Sequence, residues 1–402
     1  KRIIMDQFEF TSSHKKFTFG LMGIGLLALM WAVYCIMGSE GADHHAASAR
    51  LWSNLLICGF FFIGISVAAL FFLAVQHAAE AGWATMFNRV FEATSSYLYV
   101  GSGILVAVLF FGGHDLYHWM HADAVAHDDL LAHKSDYLNP TFFWIRTLIY
   151  LGVWIFFMRL FRKLSLEEDE IGGTKIHFRN QKYAAIFLVF FGYSSSTASW
   201  DWIMSIDAHW FSTLFGWYVF SGMWISSLVF MTLLIIWLKG KGYLPKVNEN
   251  HIHDMGKWIF GVSCLWTYLW FSQFMLIWYA NIPEEIVYFK ARFDDYKVLY
   301  FGMIIVNFVF PFFGLMDKDN KRSIGWVGTI GVIIFITHWF DVYMMVTPGV
   351  MKDHWHFGGI EIGLFLGFLG LFLFIVLNAL SKAPLIVKNH PFLDECIHLE
   401  QN

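Results

Sequence analysis

The main pattern along this chain is a series of long apolar stretches separated by short polar connections. Ten of these stretches approach the length of about 20 residues that a membrane-spanning helix needs. The predicted spans are 17–37, 51–76, 94–112, 141–161, 183–206, 210–238, 256–281, 297–316, 324–346 and 358–380. Backbone groups in lipid must be hydrogen-bonded within the segment, so every span is predicted to be an α-helix. The fold class is therefore an all-α polytopic membrane protein, with residues 1–402 forming one membrane domain.

The predicted spans contain a weak internal repeat. Aligning span 2 with span 6 so that Gly64 meets Gly222 also matches several aromatic and leucine positions. On this basis spans 2–5 (51–206) and spans 6–9 (210–346) form two four-helix bundles of the same orientation, each closed by an acidic helix end. Spans 1 and 10 are then peripheral. The alternative is that these matches between aromatic-rich helices arose by chance.

Composition and charge agree with a membrane protein. Of the 402 residues, 57% are hydrophobic and 14% are charged, whereas soluble domains carry about 25% charged residues. Lysine and arginine are concentrated in the connections on the side of the two termini, which predicts that both termini are cytoplasmic. No basic stripe supports nucleic-acid binding. Spans 5 and 6 are separated by about three residues and are therefore predicted to be antiparallel neighbours.

Acidic residues inside two spans are the main candidates for chemistry. Asp201 lies near the end of span 5, and His338 and Asp341 lie one helical turn apart in span 9. A charged side chain within a span costs roughly 2.5–3.5 kcal/mol on insertion scales, so it normally faces the bundle interior and is a functional candidate. A histidine beside a carboxylate can exchange protons near neutral pH, and a buried pair that joins two helices is the alternative. Arg146 in span 4 either reaches the membrane interface or pairs with a buried carboxylate.

Other polar residues are further candidates for a proton path. Gln273 lies in the middle of span 7, where an amide usually bridges helices. His77 and Glu80 lie where span 2 ends, and Asp317 lies at the end of span 8. Each of these three is either an interfacial residue or part of the point where protons leave the cytoplasm.

The longest connection on the opposite side, residues 113–140, is rich in histidine and aspartate. Its histidines are His114, His118, His121, His127 and His133. The spacing of the first three resembles a transition-metal site, but a solvated surface or a docking site for an extramembrane partner is favoured. A second polar cluster is predicted at the same surface. It consists of Asp353, His354, His356 and Glu361.

Several cofactors find no support in the sequence. The four cysteines are scattered and lack the CxxCH or CxxC spacing of covalent haem c, zinc ribbons and most cysteine-ligated clusters. His338 is the only histidine well inside a span, which disfavours a haem with two axial ligands. P-loop, zincin and nucleophile-elbow motifs do not occur. We therefore predict no catalytic residue, no metal site and no cofactor bound by this chain.

Three stretches carry a resemblance to a known family. They are SWDWIMSIDAHWFSTLFGWYVFSG (199–222), FMLIWYANIPEE (274–285) and HWFDVYMMVTPG (338–349). With the ten-span layout, they make the chain resemble the NrfD-like, or polysulfide-reductase-type, membrane subunits. The resemblance is closest to the smaller of the two such subunits of bacterial alternative complex III, a respiratory quinol:cytochrome c oxidoreductase.

The resemblance implies a cofactor-free subunit of the bacterial cytoplasmic membrane that supports the quinol-oxidising module of the electron transport chain. Its implied partners are a larger NrfD-like subunit, an iron–sulfur protein and cytochrome c subunits, which carry the iron–sulfur clusters and haem c, together with lipids.

The resemblance also implies part of a proton path and, less strongly, a quinone site. The candidates for proton transfer are Asp201, His338, Asp341, Gln273, His77, Glu80 and Asp317. Quinone sites of the family pair a histidine with an aspartate near the outer surface. His338 with Asp341, or Asp201 with His209, matches that pattern only loosely, so quinone binding is the weaker expectation. A secondary transporter with internal repeats and a purely structural membrane anchor are the alternative functions.

Overall fold

Long helices make up nearly all of this protein. The computed structural model describes residues 7–400. The helices are α1 (Ser12–Met37), α2 (Gly41–Ala78), α3 (Asn88–Ser95), α4 (Leu98–Leu116), α5 (Ala122–Ala126), α6 (Asp129–Lys134), α7 (Pro140–Ile171), α8 (Thr174–Trp202), α9 (Leu214–Gly240), α10 (Glu249–Ala280), α11 (Pro283–Asp294), α12 (Lys297–Gly314), α13 (Lys318–Arg322), α14 (Ile324–Met351), α15 (Gly359–Leu380) and α16 (Leu393–Ile397). Short 3₁₀ helices cover Gly82–Phe87, His118–Met120 and Met204–Asp207.

Nine helical segments among the described residues are long and apolar enough to cross a membrane. They are α1, α2, the segment Gly82–Leu116, α7, α9, α10, α12, α14 and α15. This confirms the prediction of an all-α, multi-pass membrane protein. Helix α8 is of similar length and is packed against α2, α7 and α9, but the serines at 194–196 lower its hydropathy.

The helices differ from the predicted spans mainly at their ends. Helix α2 begins at Gly41, and α7 continues to Ile171 through its charged last turns, because the added segments are rich in alanine, leucine and glutamate, which have high helix propensity. The predicted turn of about three residues after span 5 is wrong, since α8 ends at Trp202 and residues 203–213 form a longer connection. The Tyr117 hydroxyl donates a hydrogen bond to the carbonyl of Trp202 at 2.7 Å, which satisfies one of the carbonyls that a helix end leaves open.

Helix α2 is the centre of the packing. It contacts α4 and α8, which both contact α7, and it also contacts α9 and α14. On the side of α2 that faces α9 and α14, α10 packs against α9 and α12, and α12 packs against α14. Helix α1 lies outside these helices and packs mainly along α15. A Cβ atom on Gly25 would lie only 2.4 Å from Cα of Gly367, so the two backbones touch, as in small-residue membrane helix pairs.

The connections lie at two opposite ends of the helices. The first, which we call the histidine-rich end, contains 117–139, 203–213, 281–296 and 352–358, and several of these line one cavity. The second, the terminal end, contains the described parts of both termini. There the Gln7 amide donates to the Ser381 carbonyl at 2.6 Å, and the Cys396 thiol donates to the Trp83 carbonyl at 2.9 Å.

Candidate functional site

The acidic residue of α8 is buried and forms an ion pair. Asp201 is the second-last residue of α8 and is fully buried. Arg146 of α7 donates to both carboxylate oxygens, with Nε 2.8 Å from Oδ2 and Nη2 2.7 Å from Oδ1. The Tyr150 hydroxyl donates to Oδ2 at 3.2 Å. The alternative that Arg146 reaches the membrane interface is therefore wrong, and pairing with a buried carboxylate is confirmed.

The Arg146 guanidinium group is also fixed on its other sides. It stacks on the rings of Tyr137 and Phe142, with its central carbon 3.9 Å and 4.2 Å from the two ring centres. Its Nη1 donates to the Tyr137 carbonyl at 3.1 Å. A guanidinium group does not release its proton in proteins. Asp201 is thus bound by a permanent cation, which makes the pair a link between α7 and α8.

The acidic residue of α14 has a different environment. Asp341 accepts hydrogen bonds from two neutral donors, the Tyr218 hydroxyl of α9 and Nε1 of Trp266 in α10, the latter at 2.9 Å. His338, one turn earlier in α14, has Nδ1 3.6 Å from Oδ2 of Asp341. Only 1% of the His338 and Asp341 side chains is exposed. Asp341 and Asp201 also differ in position, because α14 continues for several turns beyond Asp341.

His338 lacks hydrogen-bond partners. Neither ring nitrogen is hydrogen-bonded to any residue in the range 7–400, and the distance to Asp341 is too long for a hydrogen bond. The Trp266 ring meets the imidazole edge to face at 5.1 Å between centroids. Buried polar atoms without a protein partner are where ordered water binds in proteins. His338 is thus a buried imidazole with two nitrogens available to bind water.

More buried polar atoms occur on the helices around this pair. Those without a partner in the described part of the chain include Ser227 Oγ, Ser263 Oγ, Gln273 Nε2 and Asn307 Nδ2. Asn307 Oδ1 accepts a hydrogen bond from Thr337, the neighbour of His338. On α10, Ser263 and Gln273 lie about 5 Å and about 10 Å along the axis from Trp266, in opposite directions. Polar groups therefore lie on both sides of Asp341 along the helix axes, among helices α9, α10, α12 and α14.

The three candidates predicted for the cytoplasmic side lie at the terminal end and do not form one cluster. His77 is buried, with its ring 5.9 Å from that of Phe161. Glu80 is 3.3 Å from Nε2 of His177. Asp317 is exposed and caps the short helix α13, accepting a hydrogen bond from the Asp319 amide at 3.0 Å. None of them contacts Asp341 in the described structure.

His209, a quinone candidate, lies at the surface of the histidine-rich end. Its Nε2 is 2.6 Å from Oδ2 of Asp128, and 56% of its side chain is exposed. The backbone amide of Leu131 and the His209 imidazole lower the pKa of Asp128. Asp201 is enclosed by Arg146 instead. The structure does not bring Asp201 and His209 together as a histidine–aspartate pair.

Arg292 at the histidine-rich end hydrogen-bonds a backbone carbonyl of α14 that has no partner within its own helix. Pro348 has no N–H group, so it cannot bond the carbonyl of Met344 four residues earlier. Arg292 of α11 donates from Nε to that carbonyl at 3.0 Å and from Nη2 to the Met345 carbonyl at 3.1 Å. Its guanidinium carbon lies 3.3 Å from the centre of the Tyr288 ring. Arg292 therefore fixes α11 across the end of α14.

A cavity of about 590 Å³ opens beside Arg292. Three histidines of the 113–140 connection, His114, His118 and His121, line it together with His209 and Asp207. The rings of His114 and His121 lie 5.1 Å apart, but Nε2 of His121 contacts the His114 carbonyl. Within residues 7–400, no group of three or more histidine, cysteine, aspartate or glutamate residues has the geometry to hold a metal ion. Burial raises the pKa of Asp207, which Arg292 opposes from 3.9 Å.

The sequence predicted that Glu361 belongs to a surface cluster, and this prediction is wrong. Glu361 is fully buried in the first turn of α15 and accepts two hydrogen bonds of 2.8 Å from Arg50 of α2. Asn54 and the Gly358 amide also donate to it. Asp353 and His354 are exposed. The prediction placed Glu361 with them because all four are close in sequence, whereas Arg50 is far away.

Sequence reasoning offered Arg146 as the partner of a buried carboxylate but missed the partners of Asp341 and Glu361. Tyr218 and Trp266 are aromatic residues within apolar spans, and nothing in the span pattern distinguishes them from lipid-facing aromatics. Arg292 had an available signal, because Pro348 within a predicted helix leaves a carbonyl four residues earlier without its partner.

Comparison with known proteins gives no further assignment: no family model matches this chain, and no curated protein matches it.

Proposed function

We propose that this chain is an integral membrane subunit of a respiratory quinol:cytochrome c oxidoreductase of the alternative complex III type. Its own contribution is a proton path that passes His338 and Asp341. The observation that carries this proposal is a buried imidazole without hydrogen-bond partners beside a buried carboxylate that is bound only by neutral donors. The family part of the proposal rests on the resemblance of the three sequence stretches.

The packing supports the ten-span, two-bundle layout as part of this proposal. With α8 as the tenth span, α2, α4, α7 and α8 contact each other as a ring of four, and α9, α10, α12 and α14 form a second ring. Helices α1 and α15 are then the peripheral pair. Both termini are cytoplasmic in this proposal, and the membrane is the bacterial cytoplasmic membrane.

The two acidic residues then have different roles. Asp201 is neutralised by Arg146, which keeps its proton, so we assign it to structure. Asp341 instead lies beside the imidazole of His338, whose two nitrogens make no hydrogen bond within residues 7–400. A proton that reaches His338 through water bound at Ser227 and Ser263 can be passed to Asp341 and leave past Gln273.

The partners with haem c and iron–sulfur clusters dock at the histidine-rich end in this proposal. That end carries the exposed histidines and aspartates of 113–140 and the cavity beside Arg292. Quinone binding by this chain is the weaker part, because only His338 with Asp341 remains as a histidine–aspartate pair, and both are buried within the helices.

The subunit assignment is tested first. The tagged chain is purified from its native membrane in mild detergent, and its partners are identified by mass spectrometry and a reduced-minus-oxidised spectrum. Co-purified cytochromes with a haem c band are expected. A colourless chain without partners would refute the assignment and favour transport assays in liposomes.

The proton path is tested in the intact complex. Asp341→Asn and His338→Gln are compared with Asp394→Asn, an exposed aspartate at the terminal end. Proton release per electron, measured in liposomes during quinol oxidation, should fall in the first two variants and remain unchanged in Asp394→Asn. An assembled Asp341→Asn complex with normal turnover and normal proton release would exclude this path.

A further inference from the structure

A second large cavity lies at the terminal end, between α1 and the helices behind it. Its volume is about 520 Å³, within the range of about 300–1,000 Å³ that is usual for ligand sites. Its walls come from α1, α9, α14 and α15 and are almost entirely apolar. The apolar lining residues are Phe17, Phe230, Leu233, Leu234, Trp237, Phe335, Leu369, Leu373 and Leu377.

The cavity lies beside the first turns of α1, which packs mainly along α15 and less extensively along α2. Helix α1 touches α15 through Gly25 and Gly367 further along its length, and on the side of α9 the ring of His14 meets Trp237. Phe17 is 62% exposed although it faces this space. In a membrane, apolar space of this kind is in contact with lipid chains rather than with water.

The polar groups of the cavity are all at one end and are basic or neutral. Ser13, His14 and Lys241 line that end, and Lys15 and Lys16 follow on α1. His14 is held in place by Phe8, whose ring stacks at 5.5 Å, and by the edge of Trp237 at 5.4 Å. No acidic residue of the described chain forms an ion pair with Lys241.

The N-terminus of α1 adds backbone donors at the same place. Thr11, the N-cap residue, makes no side-chain hydrogen bond to the first-turn amides, and the first turn contains no acidic residue. The first N–H groups of a helix have no partner within the helix and favour an anion. The apolar cavity thus ends at the first turn of α1 and at Lys241, an arrangement that suits an amphiphile with an anionic head group.

We propose that this cavity binds an anionic phospholipid. One acyl chain occupies the space between α1, α9, α14 and α15, and the phosphate lies against the first turn of α1 and Lys241. A basic pocket between membrane helices is a known way of binding anionic head groups. A prenyl quinone has no charge to meet the lysines, so the observations favour the phospholipid.

The test uses the purified full chain, depleted of lipid by detergent exchange. Native mass spectrometry follows the retention of phosphatidylglycerol and of phosphatidylcholine with identical acyl chains. The wild-type chain should retain one phosphatidylglycerol molecule in preference to phosphatidylcholine. Leu373→Trp fills the cavity and should abolish this retention, and chromatography with circular dichroism checks that the variant is folded.

A charge reversal tests the head-group site without touching the cavity walls. Lys241→Glu should weaken phosphatidylglycerol binding by at least about fivefold, because each lysine near a lipid head group contributes about a fivefold factor and the reversal adds a repulsive charge. Lys175→Glu, an exposed lysine at the same end on α8, is the matched control and should bind as the wild type does. Chain-brominated phosphatidylglycerol should quench less fluorescence in Trp237→Phe than in the wild-type chain.

Three results would overturn the proposal. The first is retention of phosphatidylglycerol by folded Leu373→Trp at the wild-type level. The second is equal retention of the two lipids by the wild-type chain together with equal affinities of the Lys241 and Lys175 variants for phosphatidylglycerol. The third is displacement of the retained phospholipid by a prenyl quinone, which would assign the cavity to a neutral amphiphile.

Discussion

The Arg146–Asp201 pair offers the most direct test of how buried charge supports this fold. Arg146→Met and Asp201→Leu each remove one partner and leave the other enclosed between α7 and α8. Removal of one member of a buried ion pair typically lowers the free energy of unfolding by about 3–5 kcal/mol, whereas replacement of both members by apolar residues is often neutral. The pair here is bidentate, and Asp201 is fully buried.

The expected result is therefore strong coupling. Each single variant should lose about 3–5 kcal/mol, and the double variant Arg146→Met/Asp201→Leu should lose far less than the sum, with a coupling energy of about 3 kcal/mol or more. The free energy of unfolding is measured by reversible denaturation in mixed detergent micelles, with helix content as the signal. Met at position 146 keeps an aliphatic stem but removes the guanidinium group that stacks on Tyr137 and Phe142. This stacking is lost in both the Arg146→Met and the double variant, so it cancels in the coupling energy.

A surface arginine on the same helix is the control. Arg159 of α7 is exposed and donates to the Tyr99 hydroxyl at 2.6 Å, so Arg159→Met should change the free energy of unfolding by no more than about 1 kcal/mol. If Arg146→Met lowers the free energy of unfolding by as little as this control does, the ion pair does not hold α7 to α8. If the losses of the two single variants simply add in the double variant, the two side chains do not interact.

Two further predictions concern the ends of the fold. Gly25→Leu should separate α1 from α15 and lower the free energy of unfolding by at least about 1–3 kcal/mol, because its Cβ would meet Cα of Gly367 at 2.4 Å. Gly23 has open space around it, so Gly23→Leu should leave the free energy of unfolding unchanged. Equal losses in the two variants would contradict the close contact. The C-terminal tail, residues 383–400, should loosen in acid: burial, with His177 nearby, lowers the pKa of His390 to about 4, so the neutral form is favoured in the fold. The contribution of His390 to the free energy of unfolding, up to about 3 kcal/mol for such a pKa shift, is fully present above about pH 6.5. It is lost as the pH falls through 4. The protection of the tail amides against hydrogen exchange, corrected for the intrinsic rate at each pH, should fall over this interval in the wild type and not in His390→Phe. Protection that does not change with pH in the wild type would refute this prediction.

The two acidic residues of the spans illustrate the limit of sequence reasoning. Asp201 and Asp341 each lie in an apolar span, and the sequence distinguishes them only by the histidine one helical turn before Asp341. In the structure, one faces Arg146 and the other faces Tyr218, Trp266 and His338. That difference decides which of the two can exchange a proton in our proposal.

The sequence by itself determined the class of the protein, the approximate position of nearly every membrane helix and the presence of buried charge. These follow from local properties: hydropathy over about 20 residues and the need of each segment to satisfy its own backbone groups.

Only the tertiary structure decided which groups meet. Three of the buried carboxylates have partners that are 55, 123 and 311 residues away along the chain, namely Arg146 for Asp201, Tyr218 for Asp341 and Arg50 for Glu361. Helical periodicity fixes the face and the depth of a side chain, but the helix that lies opposite depends on the packing of the whole bundle. Glu361 shows the consequence: its neighbours in sequence lie at the surface, and it is buried because α15 packs against α2.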